Sequence, residues 1–327
     1  MPIFSRTKVI PGFSKGLLKF IAREDKIAES SRRKFLPFWK SHLEINKSNI
    51  LKLAETIQPE NTLILGAGRC NDIPLKELAE IGNVTLMDFN EKAILRAKQE
   101  IKSLSLSLAP KINLKAGDIS GIIPELVLRA EYDIARSDSY EEAIQRISSL
   151  YSKAIKLYKP IDVPSNSMDF TVSSLVISQL NHPSEYIARR MMFKFFKSNL
   201  SDDEFHSKWL PAYFMLGSWL TISHIKEIHR ILKPEGKAYI STESEVSFEH
   251  EGIKITLPFL NKLGDLVSMY FSPSPSLCFS NWSWRFIPEK DLHIMAFALE
   301  GKKTDDFRIR PVIEKDFSID YEISQPG

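Results

Sequence analysis

Between residues 62 and 116 short apolar runs alternate with stretches of helical period, and this alternation constrains the fold more than any other feature of the chain. It is the signature of a parallel sheet with crossover helices. The spacing predicts strands over 62–65, 84–87 and 112–116, separated by helices over 74–81 and 91–104, with Gly82 closing the first helix. Ala93, Ile94, Ala97 and Ile101 form the buried stripe of the second helix. The rhythm then lapses. Residues 124–159 read as one or two charged helices, a fourth strand covers 168–173, and a helical insertion fills 182–223. A helix over 224–232 stops at Lys233-Pro234-Glu235-Gly236, and a fifth strand follows over 237–242.

The two ends of the chain read differently. The first sixty residues are helical and amphipathic, with Leu17, Leu18, Phe20, Ile21, Phe35, Leu36, Phe38, Trp39, Ile45, Ile50, Leu51, Leu53 and Ala54 among charged stretches, and Pro59 ends them. Near the other end, 258–270 reads as a helix and 272–276 (SPSPS) as a loop. Strands over 282–287 and 292–300 are joined by Pro288-Glu289-Lys290-Asp291, a link so short that the two must be antiparallel. The tail, 302–327, either adds an edge strand or wraps the core.

Composition narrows the class. With 43% hydrophobic and 26% charged residues, the 327-residue chain can bury a sizeable core. Its net charge of +3 is too small to argue a nucleic-acid partner for the whole molecule. The excess is local: residues 1–50 hold eleven Lys and Arg against four Asp and Glu, a net +7, and Arg32-Arg33-Lys34 lies in this stretch. The longest uncharged apolar run, 209–225, contains Pro211, Gly217, Ser218 and His224 and is shorter than the ~20 residues of a membrane helix, so it reads as a buried helix. Cys70 and Cys278 give neither zinc nor disulfide spacing, and no apolar signal segment opens the chain, which makes a cytoplasmic setting the expectation.

The first strand runs into Gly66-Ala67-Gly68 and a helix follows, so the backbone can approach a nucleotide closely near a helix N-terminus. Asp88 ends the second strand 22 positions after Gly66, where a carboxylate can accept from both ribose hydroxyls. Asp118 closes the third strand, placed to accept from an adenine amino group while Ile119 packs on the ring. Three strand ends thus point to an adenosine ligand. A dinucleotide is disfavoured because the third glycine of its fingerprint falls at Asn71, and the Walker lysine pattern is absent.

With five parallel strands and a closing antiparallel hairpin, the chain resembles the class I S-adenosylmethionine-dependent methyltransferases. The resemblance is carried by the Gly66-Ala67-Gly68 loop, Asp88, Gly117-Asp118-Ile119, the strand and helix start over 168–180, and the turn into strand five over 232–240. It implies an α/β fold: a seven-stranded, mostly parallel sheet with a C-terminal antiparallel hairpin, helices on both faces, and helical N-terminal and internal insertions. The corresponding division is a helical lid over 1–60, a Rossmann-like domain over 61–300 with insertions near 120–165 and 181–223, and an extension over 301–327. S-adenosyl-L-methionine is the implied cofactor, held by Gly66, Ala67, Gly68, Asn71, Asp72, Asp88, Phe89, Asp118, Ile119 and Ser173. Ile64 stands where the family usually has an acidic residue, and Cys70 where it has a third glycine. Asp72 either replaces the missing contact to the methionine amino group or caps the next helix ahead of Pro74.

The implied reaction is an in-line displacement at the sulfonium methyl, in which alignment dominates and a base is optional. Candidate bases follow strand four: Ser173, Ser174, Gln179, Asn181, His182 and Tyr186, with His182 the catalytic candidate or else a solvated cap residue. His224 and His229 lie ~140° apart on a helix and are poor joint metal ligands. Trp282, Trp284 and Phe286 alternate along one strand and read as core. No Asn/Asp-Pro-Pro-aromatic tetrapeptide follows strand four, no Pro-Cys nucleophile is present, and no carboxylate cluster reads as a metal site. The expectation is transfer to an oxygen or nitrogen atom of a small-molecule acceptor, with no DNA partner and no membrane span; the sequence leaves the oligomeric state open. The alternatives are a methyltransferase acting on a protein or RNA through the basic N-terminal segment, and a non-catalytic relative that binds S-adenosylmethionine.

Overall fold

The computed structural model describes the backbone of residues 14–196, 202–250, 253–258, 271–273, 280–287, 290–301, 308–313 and 319–324, and side chains over 14–196 (except 104), 208–209, 211–243 and 292–300. Its first element is one long helix, α1 (Lys15–Ile57). Ser14 caps it, accepting from the Leu17 amide at 3.1 Å, and Gln58 ends it in the left-handed conformation just before Pro59. The apolar positions of α1 are not equally used. Leu17, Ile50, Leu53 and Ala54 are buried, whereas Leu36 and Phe38 in its middle are exposed.

Five strands form the parallel part of the main sheet: β1 (Asn61–Leu65), β2 (Asn83–Asp88), β3 (Ile112–Ala116), β4 (Met168–Ser174) and β5 (Leu232–His250). Their order is β3-β2-β1-β4-β5, the doubly wound order in which the winding reverses between β1 and β4. Residues alternate between two cores, as the two-residue period of a strand requires. Leu63, Leu65 and Met87 pack on one face, against α4 (Ile123–Ala135), α5 (Tyr140–Ser152) and α7 (Asp202–Ile231). Ile64, Leu86, Phe170 and Val172 pack on the other, against α2 (Leu75–Ile81), α3 (Glu91–Leu104) and the last turns of α1.

Beyond β5 the sheet turns antiparallel through β9 (Lys290–Gly301), which carries β7 (Phe271–Pro273) and β8 (Ser280–Ile287) in series along its far edge. The expected hairpin of β8 and β9 is antiparallel. The sheet holds nine strands among the described residues, so the count of seven is corrected. One of the two added strands is β7, paired with β9, and the other comes from the length of β5. Its outer part runs on past Thr242 and pairs with β6 (Ile253–Pro258) from Glu245 onward as well as with β9.

Other boundaries shift for local reasons. The Lys233–Gly236 turn is absorbed as an irregularity at the start of β5, with Glu235 in the left-handed region and the pairing slipping between Met168 and Phe170. No break separates the second insertion from the helix expected at His224. After α6 (His182–Phe196), α7 runs unbroken through Pro211 to Ile231, with Trp209, Leu216, Leu220, Ile225 and Ile228 buried. Among the described residues no helix is long and apolar enough to cross a membrane. Among the described residues the tail adds no edge to the main sheet: β10 (Arg308–Ile313) and β11 (Ile319–Ser324) pair as a separate hairpin that lies against α7. Pro258 ends β6, Ser272 and Pro273 belong to β7, and the rest of the helix and loop expected over 258–276 lies outside the described residues apart from Phe271.

Candidate functional site

A cavity of about 380 Å³ opens at the carboxyl ends of β1, β2 and β4, at the point where the strand order reverses. Its floor is the loop after β1. Gly66 (φ +63°) and Gly68 (φ +49°) both take the left-handed conformation. At Gly66 a side chain would strike Val176 of the segment after β4, its Cβ falling 2.5 Å from Cγ2. At Gly68 nothing lies within 4 Å of that position, so its missing side chain leaves open room at the cavity wall. Cys70, in the place of a third glycine, also has positive φ (+54°). Its thiol is buried in the core, and burial together with the charges of Asp72 and Asp88 pushes it well up.

Asp88 ends β2 and binds the loop to the strand. Its Oδ2 accepts from the Gly68 amide at 2.8 Å and its Oδ1 from the Asn90 amide at 2.7 Å. Each carboxylate oxygen has a further lone pair, and Asp88 lines the cavity. Burial raises this carboxyl above its usual range, opposed by the two amide donors. Phe89, Asn90 and Ile119 line the same side.

Asp72 lies at the other end of the loop. It does not cap α2, whose N-cap position is Pro74 and receives no side-chain bond. Its Oδ2 instead accepts from the Ser174 hydroxyl and from Asn46 Nδ2 at 3.3 Å. Burial raises its carboxyl, against the Ser174 bond and the nearby Lys47 charge. Ile64, at the position where the resemblance implies an acidic residue, is buried in the second core and does not line the cavity.

The roof is α1. Phe20, Ile21, Glu24, Asp25 and Ala28 face the cavity, and a charged cluster pins them down. Arg69 of the glycine loop reaches Asp25 at 3.5 Å and also pairs with Glu29, while Arg96 of α3 reaches Asp25 at 3.1 Å. The local basic excess is therefore partly spent: Arg32 pairs with Glu100, Arg33 with Glu29 and Lys40 with Glu44.

Of the residues singled out from the sequence, Gly66, Ala67, Gly68, Asn71, Asp72, Asp88, Phe89, Ile119 and His182 converge on this cavity. Two do not line it. Asp118 turns back on its own chain, its Oδ1 accepting from the Ser120 amide at 2.8 Å and hydroxyl at 2.6 Å; Ser120 in turn accepts from the amides of Ile122 and Ile123 at the start of α4. Ser173 is fully buried against His224, with Oγ 2.8 Å from Nε2, and its neighbour Ser174 lines the cavity instead. Burial drives His224 down to about 4.

Among the base candidates, Gln179 lines the cavity and His182 stands exposed at its rim, where no hydrogen bond to a described residue fixes its ring. Asn181 donates to the Tyr213 carbonyl at 3.1 Å, and Tyr186 packs on Phe20 with ring centroids 5.4 Å apart. Among the described residues no three His, Cys, Asp or Glu side chains converge to hold a metal ion. Asn46, Arg69 and the acidic residues of the roof belong to no motif in the sequence. Asn46 had a signal: it sits on the stripe of Ile50, Leu53 and Ala54, where a polar residue must find partners.

No protein-family model matches the chain, and no curated protein does. Several of the solved structures similar to it are named as methyltransferases, and one is the [4+2]-cyclase SpnF. A 1,6-didemethyltoxoflavin-N1-methyltransferase from Burkholderia thailandensis, solved with 1,6-didemethyltoxoflavin and S-adenosylhomocysteine, is 14% identical at a TM-score of 0.42, over 92% of this chain and 93% of that one. The N-methyltransferase NodS from Bradyrhizobium japonicum WM9 is 12% identical at 0.41, over 82% and 98%. A methyltransferase from Aquifex aeolicus is 12% identical at 0.37, over 74% and 82%. At these scores the placement of the chain among Rossmann-like α/β folds rests on its own strand order and on the glycine loop at the reversal.

Proposed function

We propose that the chain is an S-adenosylmethionine-dependent methyltransferase acting on an oxygen or nitrogen atom of a small molecule. The observation that carries this reading is the Gly68–Asp88 bond at the strand-order reversal, where a left-handed glycine with open room beside it meets a carboxylate with lone pairs to spare. These residues fit an adenosine. Asp88 would accept from the ribose hydroxyls, Phe89 and Ile119 would flank the base, and the loop from Gly66 to Asn71 would follow the methionine chain. Asp72, held by Ser174 and Asn46, is the anionic group in line for the methionine ammonium. It takes over the part that Ile64 cannot play.

When bound, the cofactor supplies a methyl group on a sulfonium, ready for displacement. The chain's own work is alignment and the exclusion of water. Residues 1–60 act as the lid, with Phe20 and Ile21 closing over the cavity; Leu180 and Pro183 face them from the segment after β4, an apolar wall suited to an acceptor with little charge. Residues 61–300 form the catalytic unit, with its insertions near 120–165 and 181–223, and 301–327 is an extension. His182 is the one titratable base candidate at the rim.

Calorimetry with S-adenosylmethionine tests the cofactor, and a screen of metabolite pools with labelled cofactor tests the acceptor. Heat from the wild type that vanishes in Asp88→Ala supports the site as drawn. A wild type that gives no heat removes the enzyme reading.

A further inference from the structure

We propose that Asn46 is a positioning residue for cofactor binding: reaching down from the roof helix, its amide holds the Asp72 carboxylate in place to receive an ammonium group. This rests on the reading of Asp72 as the partner of the methionine ammonium. Asn46 is fully buried and bridges four parts of the fold. Its Nδ2 donates to the Asp72 carbonyl at 3.0 Å, to Asp72 Oδ2 at 3.3 Å and to Ser174 Oγ at 2.9 Å. Its Oδ1 accepts from the Tyr239 hydroxyl at 2.8 Å and the Ser241 hydroxyl at 3.3 Å, both on β5. The chemistry of the partners fixes which way the amide points. A carbonyl and a carboxylate can only accept, so the nitrogen must face Asp72, and the oxygen is left to the two hydroxyls.

Packing alone does not ask for an asparagine here. The stripe continues through Ile50, Leu53 and Ala54, all fully buried, and a leucine at position 46 would extend it. Asp72, by contrast, needs donors. A carboxylate withdrawn from water is tolerated only when hydrogen-bonded, and Asn46 and Ser174 are the side chains that supply those bonds. Of this group only Asp72 and Ser174 line the cavity. Asn46, Tyr239 and Ser241 stand behind them, so Asn46 acts through Asp72 and touches no ligand itself.

The test compares two ligands on the full-length protein by calorimetry. S-adenosylhomocysteine carries the amino-acid ammonium, and 5′-methylthioadenosine is a nucleoside thioether without it. Asn46→Leu and Asp72→Asn should each weaken S-adenosylhomocysteine about tenfold or more while changing 5′-methylthioadenosine less than about threefold. Because the two residues work as one unit, the double variant should lose little beyond either single. Asn46→Ser, which keeps a small polar group, serves if the leucine variant does not fold and should show the same split. Equal losses on both ligands, or no loss on either, would make Asn46 a packing residue and overturn the proposal. A wild type that binds neither ligand would instead overturn the cofactor reading and take the proposal with it.

Discussion

Asp88 ends β2, and Asp118 stands two residues past the end of neighbouring β3; burial raises the carboxyl of each above its usual range. The loops beyond them use the carboxylates differently. After β2 the chain leaves at once into α3, Asn90 caps that helix with its own side chain, and Asp88 is left facing the cavity with only two amides bound to it. After β3 the chain makes a tight turn through Gly121 (φ +69°), and Asp118 binds the amide and hydroxyl of Ser120, which accepts from the Ile122 and Ile123 amides where α4 begins. A strand-end aspartate is thus a ligand group or a turn group according to what its next two residues demand. Two things differ here: Asp88 is the last residue of its strand whereas Asp118 lies two beyond, and Ser120 adds a hydroxyl bond that Asn90 does not.

The largest expected effect breaks the pair apart. Asp88→Ala should weaken S-adenosylhomocysteine about 100-fold, close to 3 kcal/mol, by leaving ribose hydroxyls and the Gly68 amide without an acceptor. Asp118→Ala should leave that affinity within about threefold and instead cost about 2 kcal/mol of stability, as the Ser120 turn and the α4 start lose their anchor. Urea unfolding measured beside calorimetry separates the two. An Asp118→Ala protein of normal stability with damaged binding would reverse the assignment.

A smaller effect sharpens the same contrast one strand over. Ser173 and Ser174 are consecutive, yet one bonds the buried His224 and the other bonds Asp72 at the cavity. Ser174→Ala should weaken S-adenosylhomocysteine about fivefold, near 1 kcal/mol, with little change in stability. Ser173→Ala should do the reverse, costing about 1 kcal/mol of stability and sparing binding. Loss of binding in both variants would show that β4 must be intact for the cavity to form at all.

These contrasts mark where the sequence was legible. The parallel strands and the glycine loop could be read because strand length, helical period and backbone permissiveness are properties of a few adjacent residues. The helix over 91–104 and the strand over 112–116 fall at the positions expected. Ser173 could not be told from Ser174, because which of two neighbours faces a ligand depends on how the strand end twists against its partners. Asp72 could not be told from a helix cap, because the deciding partner, Asn46, is 26 residues away on a helix that folds back over the loop. The strand count failed for the same reason of distance: the outer part of β5 is defined by its pairing with β6 and β9.

The smallest expected effect concerns pH. Burial lifts the Asp118 carboxyl from an ordinary 3.8 to about 6 despite the Ser120 bonds. The folded chain therefore keeps a proton on this group that the unfolded chain releases between about pH 4 and 6. Its contribution to stability is fully present below that window and lost as the pH rises through it. His42 and His224 act oppositely: burial lowers both to about 4, so their contribution is present above about 6.5 and is lost as the pH falls. The net slope mixes these signs, and the informative quantity is a difference between proteins. Asp118→Asn keeps an oxygen to accept from Ser120 but cannot titrate. Between pH 4 and 7 the variant should gain about 1 kcal/mol on the wild type, a figure kept well under the full shift because Asp118 is only partly shielded from water. A constant difference across that range in urea unfolding would mean that Asp118 titrates in its ordinary range, with the Ser120 bonds offsetting its burial.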